Sequence, residues 1–253
     1  MTNPAPNLTC PVSVRGLTMK YGDTLIQKNL NFDVQAGSTM IVMGGSGCGK
    51  STLLRHLIGI KEPAEGTVYR SGIDFWHCSQ QEQEQIMRNS GILYQSGALW
   101  SSMTIAENVA LPLKQFTKYN SAQIKEIVDY KLSLVGLAGF GELYPSEISG
   151  GMKKRAGLAR AMVMDPQLLF FDEPSAGLDP LSARRLDELI IELRESLGAT
   201  FVVITHDLDS IFMIGTDSIF LDAVTKTLLA HGNPHDLRDH AESEMVRNFL
   251  RRK

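Results

Sequence analysis

Residues 43–52 read MGGSGCGKST, and this stretch decides the fold class. It matches the pattern G-x-x-x-x-G-K-[ST] through glycines at 44 and 49, followed by Lys50 and Ser51. Glycines let backbone N–H groups curl around phosphate oxygens where a Cβ atom would clash. The apolar run MIVMG reads as a strand before the loop, and the helix after it directs its positive end at an anion. The stretch therefore predicts a loop that holds the phosphates of a nucleotide.

Individual residues of this loop have separate expected roles. Lys50 is expected to neutralise the β- and γ-phosphates, and the Ser51 hydroxyl to be a ligand of Mg²⁺. Cys48 is expected to be a small residue that the loop tolerates rather than a redox centre. The predicted nucleotide-binding residues of the loop are Gly44, Gly45, Ser46, Gly47, Cys48, Gly49, Lys50, Ser51 and Thr52.

Polar residues follow three other apolar strands of the predicted sheet. LLFFDE ends in Asp172 and Glu173, VVITH ends in His206, and ILYQ ends in Gln95. Ligands of open α/β sheets lie at the carboxyl edge of the strands, so we expect these side chains near the phosphate loop. Asp172 would hold Mg²⁺ through water, and Glu173 would act as the general base for the attacking water. His206 is expected to contact the γ-phosphate, and Gln95 to sense the metal and the attacking water.

Composition limits the classes to which the chain can belong. Its 253 residues suit one large domain or a compact core with a subdomain. A net charge of −3 provides no basic field for binding nucleic acid. The three cysteines have an odd count and no metal-type spacing, as expected in a reducing compartment. No signal peptide is visible, and no apolar run approaches the ~20 residues that span a bilayer, so we expect a cytosolic chain.

The order of predicted elements indicates an α/β fold with a parallel sheet, because apolar strands alternate with helices. We predict a catalytic core with a β subdomain over residues 12–95 and 165–235, and an inserted helical subdomain over 96–164. A C-terminal helix is predicted over 236–253. Whether this helix is an ordinary docked tail or part of a dimer contact is left open.

Further motifs complete an order that runs along nearly the whole chain. In sequence these are Tyr21, the phosphate loop, Gln95, SGGM at 149–152, FFDE at 170–173, SAGLD at 175–179 and His206. With this order the chain resembles the ABC ATPases. The resemblance implies a phosphate-loop NTPase fold with a RecA-like parallel sheet, an antiparallel β subdomain and an inserted α-helical subdomain. It also implies an ATPase that uses ATP and Mg²⁺.

The SGG segment is the diagnostic element of this family, which we call the signature. Ser149 is a good N-cap for the helix that follows, so its hydroxyl, free N–H groups and a positive helix end would face an anion. In ABC ATPases two copies pack head to tail, and that anion is the γ-phosphate held by the other copy. The implied signature residues are Ser149, Gly150, Gly151 and Met152. The implied residues of communication across the homodimer are Ser175, Ala176, Gly177, Leu178 and Asp179.

Two further assignments follow from the same resemblance. Tyr21 would stack on adenine, although an isolated tyrosine before a Gly-Asp turn also suits a packing role. The implied metal ligands are Ser51, Gln95 and, through water, Asp172.

Met152 narrows the resemblance, because glutamine is usual at this position of ABC ATPases. PSE before SGGMKKR, together with QSGALWSSMTIAENVALPL from Gln95 onward, looks like one branch. That branch is the ATPase subunits of the MCE-associated lipid transporters, including the maintenance-of-lipid-asymmetry (Mla) system. It implies ATP-driven phospholipid transport through a separate integral-membrane permease, with an MCE-type lipid-binding protein and a small accessory subunit. The chain would then lie on the cytoplasmic face of the inner membrane.

Several alternatives stay open at this point. The apolar segment after Gln95 is either a groove for an amphipathic helix of the permease or subdomain core. A solute-importer ATPase would favour glutamine at position 152. Soluble ABC proteins of DNA repair or translation would carry long insertions or two cassettes in one chain. A simple phosphate-loop kinase would lack the SGG segment.

Two expectations concern the helix after the signature. Lys153, Lys154 and Arg155 are expected to form a solvated helix face, since they are too few for a nucleic-acid patch. Gly157 in the middle of the predicted helix costs ~1 kcal/mol relative to alanine, which indicates close packing at that point.

Overall fold

The computed structural model describes residues 9–252, which fold into two sheets and their flanking helices. The strands are β1 (Val12–Tyr21), β2 (Thr24–Val34), β3 (Thr39–Gly44), β4 (Glu65–Arg70), β5 (Ile73–Asp74), β6 (Ser90–Leu93), β7 (Leu168–Asp172), β8 (Thr200–Ile204), β9 (Asp217–Leu221) and β10 (Leu228–Gly232). The helices are α1 (Lys50–Leu57), α2 (Gln80–Arg88), α3 (Ile105–Phe116), α4 (Ser121–Leu134), α5 (Gly150–Ala161), α6 (Pro180–Leu197), α7 (Leu208–Ile214), α8 (Pro234–His240) and α9 (Glu244–Leu250).

The central sheet confirms the predicted parallel architecture. Its strand order is β10-β9-β3-β8-β7-β6, and all neighbours are parallel except the pair β9 and β10. The strands β3, β7 and β8 are buried almost throughout, since helices and a second sheet cover both faces. The carboxyl ends of β3, β6, β7 and β8 therefore meet at one edge.

The second sheet is antiparallel, with the strand order β2-β1-β4-β5. Leu17 and Leu30 from this sheet share a buried cluster with Val42 and Phe170 from one face of the central sheet. The β1–β2 hairpin turns at Gly22, as the Gly-Asp pair in the sequence predicts. This sheet thus holds β1 close to the strand that ends in the phosphate loop.

The helices α3, α4 and α5 cover the other face of the central sheet. Reciprocal capping boxes define the starts of α3 and α4, formed by Thr104 with Glu107 and by Asn120 with Gln123. Apolar residues of all three helices belong to the same buried cluster as Phe171 of β7. The helical block therefore shares its core with the sheet. The residue boundaries of the subdomains stay a prediction.

The C-terminal region differs from the predicted helix over 236–253. Two short helices, α8 and α9, occupy it, and residue 253 lies outside the described part of the chain. Asn233 caps α8, and Ala241 leaves the helical region with ψ 136°, which ends that helix. Val246 and Leu250 of α9 are buried, and the Phe249 ring packs edge-on against Phe220 of β9. The tail therefore docks on the core of its own chain.

Among residues 9–252, no helix combines the length and the apolar composition that crossing a bilayer requires.

Candidate active site

The phosphate loop connects β3 to α1 with the backbone geometry that its glycines allow. Gly44 has φ 143°, and a Cβ atom there would lie 2.3 Å from the carbonyl oxygen of Leu221 and 2.6 Å from Cys48 Sγ. Gly49 precedes α1 in the left-handed region with φ 101°. At Gly45 and Gly47 a Cβ atom would meet nothing within 4 Å among the described residues, so the loop is open on this side. A nucleotide phosphate can therefore approach the loop backbone closely.

Lys50 folds back over the loop. Its Nζ atom donates hydrogen bonds to the carbonyl oxygens of Gly44 at 2.9 Å and Gly45 at 3.0 Å. These are exchangeable partners, because phosphate oxygens are stronger acceptors for an ammonium than backbone carbonyls are. The ammonium therefore lies where it can neutralise an anion bound to the loop.

The buried Cys48 supports the loop from beneath. Its side chain is 1% exposed, and burial raises the pKa of the thiol. The Gln27 side-chain amide donates to the carbonyl oxygens of Cys48 and Asp222, both at 2.7 Å, and so ties the loop to the end of β9. Sequence reasoning missed Gln27, a buried polar residue in an otherwise alternating strand.

Asp172 ends β7 beside the start of α1. Burial and the neighbouring Glu173 raise the pKa of its carboxyl, while Arg55, Lys50 and a hydrogen bond with the Ser51 side chain oppose that shift. The hydroxyl of Ser51 and the carboxylate of Asp172 are therefore adjacent hard oxygen donors. Mg²⁺ in nucleotide sites commonly takes one or two such protein oxygens and completes its shell with phosphate and water. These residues fit the predicted metal.

Glu173 and His206 form a contact at the same edge. Nδ1 of His206 lies 2.8 Å from Oε1 of Glu173. Because an ionised carboxylate can only accept, Nδ1 carries the proton in this arrangement. The Glu173 side chain is 15% exposed and the His206 ring 68% exposed, so the carboxylate is sheltered and the imidazole faces solvent. The two residues that the sequence placed on separate strand ends are thus brought together.

Gln95 lies just past a strand rather than on it. The strand β6 ends at Leu93, which pairs with Phe171 of β7, so the exposed Gln95 follows β6 at the carboxyl edge of the sheet. After Gln95 the chain turns through Gly97, with φ 75°.

The chain after Gln95 is hydrogen-bonded to helix α5. Arg160 donates from Nη2 to the carbonyl oxygen of Gly97 at 2.9 Å and from Nη1 to that of Ala98 at 2.7 Å. A Cβ atom at Gly157 would lie 3.0 Å from the Gly97 oxygen and 2.9 Å from Leu93 Cδ1. The predicted close packing at Gly157 is confirmed. Sequence reasoning missed Arg160, because its partners lie about 60 residues earlier in the chain.

Tyr21 lies at the end of β1, with its side chain next to α1. Its ring is 43% exposed, the Lys61 ammonium lies 4.3 Å from the ring centroid, and Arg55 donates to its hydroxyl at 3.1 Å. One ring face thus carries a cation, and an adenine base would stack on the other face or displace Lys61. The stacking role stays a prediction.

The signature begins helix α5, which packs against α3, α4, α6 and β6. Ser149 is its N-cap, and its Oγ atom accepts from the backbone N–H of Met152 at 3.2 Å. Ser149 and Gly150 are exposed, whereas Met152 is half-buried against the hydrophobic core. The N–H groups of Gly150 and Gly151, which precede the N–H that Ser149 caps, are therefore available to bind an anion.

The expectation of a solvated face at 153–155 is wrong for two of its three residues. Lys154 is 6% exposed, and its Nζ atom donates to the carbonyl oxygens of Glu173, Pro174 and Ala176 at 3.3, 2.6 and 2.6 Å. Arg155 is half-buried and donates to the carbonyl oxygens of Val135 and Gly136. Consecutive residues on a helix point about 100° apart, so three of them cannot all face solvent on a helix packed on most sides.

The segment 175–179 forms a compact turn between β7 and α6. Ala176 donates its N–H to the Glu173 carbonyl oxygen, and Leu178 donates to that of Ser175. Asp179 caps α6, since its Oδ1 atom accepts from the N–H groups of Leu181 and Ser182. The turn is thus hydrogen-bonded directly to Glu173, the residue predicted to be the general base.

Comparison with known proteins agrees with this geometry. The family described as "ABC transporter" matches residues 27–176, more than half of the chain. The chain is 39% identical over 239 residues to the "Probable ribonucleotide transport ATP-binding protein mkl" of Mycobacterium leprae, covering 94% of this chain and 68% of that protein. It is 39% identical over 240 residues to the "Intermembrane phospholipid transport system ATP-binding protein MlaF" of Haemophilus influenzae, covering 95% and 90%.

Solved structures of ABC ATPases share this architecture. The cbiO1 protein from Clostridium perfringens, part of the ABC transporter complex cbiONQ, superimposes with a TM-score of 0.83 at 28% identity and covers 96% of both chains. The ATP-binding cassette MJ0796, a dimer in a post-hydrolysis state bound to ADP and Pi, gives a TM-score of 0.79 at 28% identity and covers 88% of this chain and 98% of its own. The chain therefore belongs to the ABC transporter family, as an ATP-binding ATPase subunit.

Proposed function

We propose that this chain hydrolyses ATP to drive phospholipid transport through a separate permease of the bacterial envelope. The observation that carries the hydrolytic part is the contact of Glu173 with His206, at the edge where the phosphate loop also lies. The phospholipid part rests on the similarity to MlaF of H. influenzae, which extends over 90% of that protein.

In the proposed reaction the loop N–H groups and Lys50 hold the β- and γ-phosphates of ATP. Bound Mg²⁺, held by Ser51 and through water by Asp172, would neutralise charge that develops on the phosphates. Glu173 accepts a proton from the attacking water, and His206 keeps the carboxylate oriented and contacts the γ-phosphate. Gln95, which follows the carboxyl end of β6, would orient the same water and would be a ligand of the metal.

The proposal includes a homodimer. ABC ATPase relatives work as dimers with membrane permeases, and the MJ0796 cassette is dimeric in its solved structure. Ser149, Gly150, Gly151 and Met152 would complete the ATP site of the other copy with helix N–H groups and the serine hydroxyl. The segment 175–179 would communicate across the interface, because its turn is hydrogen-bonded to Glu173.

Exposed aromatic residues support the proposed contact with the permease. Trp100 is 59% exposed, while the backbone around it is held by buried Asn108, which donates to the carbonyl oxygens of Trp100, Met103 and Thr104. Exposed Phe140 and Tyr144 lie in the neighbouring loop, which is hydrogen-bonded to the start of α3. An exposed apolar surface on a hydrogen-bonded backbone suits an amphipathic helix of a membrane partner.

A second candidate cargo is a ribonucleotide, which the name of the M. leprae relative supports. We favour phospholipid, because Met152 and the segment after Gln95 resemble the lipid-transport branch and the chain is equally similar to MlaF. With phospholipid as cargo, the transporter would include an MCE-type lipid-binding protein and a small accessory subunit. The chain would lie on the cytoplasmic face of the inner membrane through its permease.

A detergent pull-down of the tagged chain from its native membranes tests this proposal. We expect mass spectrometry to identify a polytopic permease, an MCE-type protein and bound phospholipid. Trp100→Asp should lose the permease and keep the nucleotide affinity, whereas the matched control Met87→Asp, on exposed α2, should retain both. Recovery of a solute-receptor system, or of nucleotide cargo without phospholipid, would contradict the phospholipid proposal and leave the ATPase assignment intact.

A further inference from the structure

Glu173 has an unusual backbone conformation. Its φ is +49°, in the left-handed region that side-chain-bearing residues rarely adopt. Its N–H donates to the carbonyl oxygen of Ile204, which extends the pairing of β7 and β8 by one residue. The backbone then reverses into the turn that leads to α6. Strained residues of this kind persist only where surrounding contacts hold them.

Lys154 supplies such contacts. Three carbonyl oxygens of this turn, those of Glu173, Pro174 and Ala176, converge on its Nζ atom at 3.3, 2.6 and 2.6 Å. The ammonium has three N–H donors, so the arrangement uses its full donor capacity. Burial lowers the pKa of Lys154, and the Glu173 carboxylate opposes that shift. A buried cation is retained at such a position only if its hydrogen bonds are made, so its partners are held in place in turn.

Lys154 also belongs to the signature helix. It lies five residues after Ser149, about 7.5 Å along the axis of α5. The helix packs against α3, α4, α6 and β6, and Arg160 on it is hydrogen-bonded to the chain after Gln95. One helix therefore carries the signature at its N-terminus and, about 1.4 turns later, holds the turn that contains the general base.

We propose that Lys154 is a positioning residue that holds the left-handed turn at Glu173. Through this turn, the orientation of the Glu173 carboxylate depends on the position of helix α5, whose N-terminus is the signature. The inference rests on the proposed role of Glu173 as general base. In a head-to-tail dimer, the signature of each copy faces the ATP of its partner, and Glu173 serves the ATP of its own copy. Lys154 thereby links the two ATP sites within one chain.

The test compares Lys154→Met with Lys154→Arg and with Lys153→Met in the full chain. Lys153 is the matched control, since it is the preceding lysine on the same helix and only half-buried. We expect Lys154→Met to lower kcat for ATP at least tenfold and to change KM and nucleotide affinity less than twofold. The Hill coefficient of ATP hydrolysis with respect to ATP concentration should also fall. Lys154→Arg keeps charged donors and should recover kcat to within about threefold, whereas Lys153→Met should match the wild type.

Hydrogen–deuterium exchange provides a readout that does not depend on turnover. The amides of Ala176 and Leu178, which close the turn, should exchange at least tenfold faster in Lys154→Met and not in Lys153→Met. Where Lys154→Met does not yield folded protein, Lys154→Gln, which keeps two N–H donors without charge, takes its place and should show an intermediate loss of kcat.

Glu173→Gln distinguishes a failure of the general-base role of Glu173 from a failure of the positioning role of Lys154. If Glu173→Gln abolishes turnover while Lys154→Met keeps wild-type kcat and exchange, the role of Lys154 is overturned and that of Glu173 stands. If Glu173→Gln turns over normally, the general-base assignment itself fails. A loss in Lys154→Met that Lys154→Arg does not recover, with unchanged exchange at 176 and 178, also overturns the positioning role.

Discussion

Nδ1 of His206 lies 2.8 Å from Oε1 of Glu173, so an exposed imidazole holds a sheltered carboxylate at the carboxyl edge of the central sheet. Each residue follows a different one of the paired parallel strands β7 and β8, so the ends of these strands bring the two side chains together. A carboxylate oriented in this way can accept a proton from water without first reorganising.

Glu173→Gln should therefore lower kcat at least 100-fold, since general-base catalysis typically contributes ~10²–10⁴-fold. ATP binding should persist, and the variant should accumulate as an ATP-bound dimer. Phosphate release and size-exclusion chromatography with ATP measure both effects. Glu192→Gln, an exposed change on α6, is the control and should behave as the wild type. A Glu173→Gln chain that remains monomeric with ATP and turns over normally would refute the assigned site.

Lys50→Ala should weaken ATP binding, because the loop loses its only ammonium over Gly44 and Gly45 among the described residues. A charge-assisted hydrogen bond contributes about 1.5–3 kcal/mol, which corresponds to a loss of about 10–150-fold in affinity. Isothermal titration calorimetry with ATP measures the loss. The melting temperature without nucleotide should change little, and an unchanged ATP affinity would contradict the role of Lys50.

Asp187 should make the stability depend on pH. It is 3% exposed, its Oδ2 atom accepts from Ser210 Oγ at 2.7 Å, and burial raises its pKa from 3.8 to about 6. The folded state then binds more protons than the unfolded state between pH 4 and 6. Its contribution to stability is therefore present below pH 4 and lost as the pH rises through 6.

The Asp187→Asn variant lacks this proton linkage. Relative to it, the wild type should lose about 2–3 kcal/mol of unfolding free energy between pH 4 and 7, given 1.36 kcal/mol per pKa unit. Urea unfolding of both proteins at several pH values measures the difference. Ser210→Ala removes the hydrogen bond that lowers this pKa, so it should move the transition to higher pH. If the unfolding free energies of the wild type and Asp187→Asn changed with pH in parallel, the proton linkage of Asp187 would be contradicted.

Gly157→Ala should destabilise the protein despite the better helix propensity of alanine. The new methyl group would lie 3.0 Å from the Gly97 oxygen and 3.1 Å from its Cα, and backbone atoms cannot rotate away. Overpacking of this kind costs about 1–3 kcal/mol, which exceeds the ~1 kcal/mol gained by replacing glycine in a helix. Thermal unfolding measures the change, and kcat should also fall because the chain after Gln95 shifts. A higher melting temperature of Gly157→Ala than of the wild type would contradict the close contact between positions 157 and 97.

The local features of the nucleotide site could be predicted from the sequence. The phosphate loop, the apolar strands before Asp172 and His206, and the N-cap at Ser149 depend on residues within a few positions of one another. Strand periodicity and glycine conformation act over that range, and the family match over residues 27–176 agrees with them. The C-terminal helix was predicted as one element because helical spacing alone did not reveal the break at Ala241.

The sequence by itself thus determined the fold class and the chemical groups of the nucleotide site. Tertiary structure decided which backbone groups hold them in place. Lys154 reaches carbonyl oxygens about 20 residues later, and Arg160 reaches carbonyl oxygens about 60 residues earlier. The residue type of a lysine or arginine on a helix does not indicate whether its side chain faces water or a buried carbonyl oxygen. Only the packing of α5 between the sheet and its neighbouring helices decides which of the two environments each side chain meets.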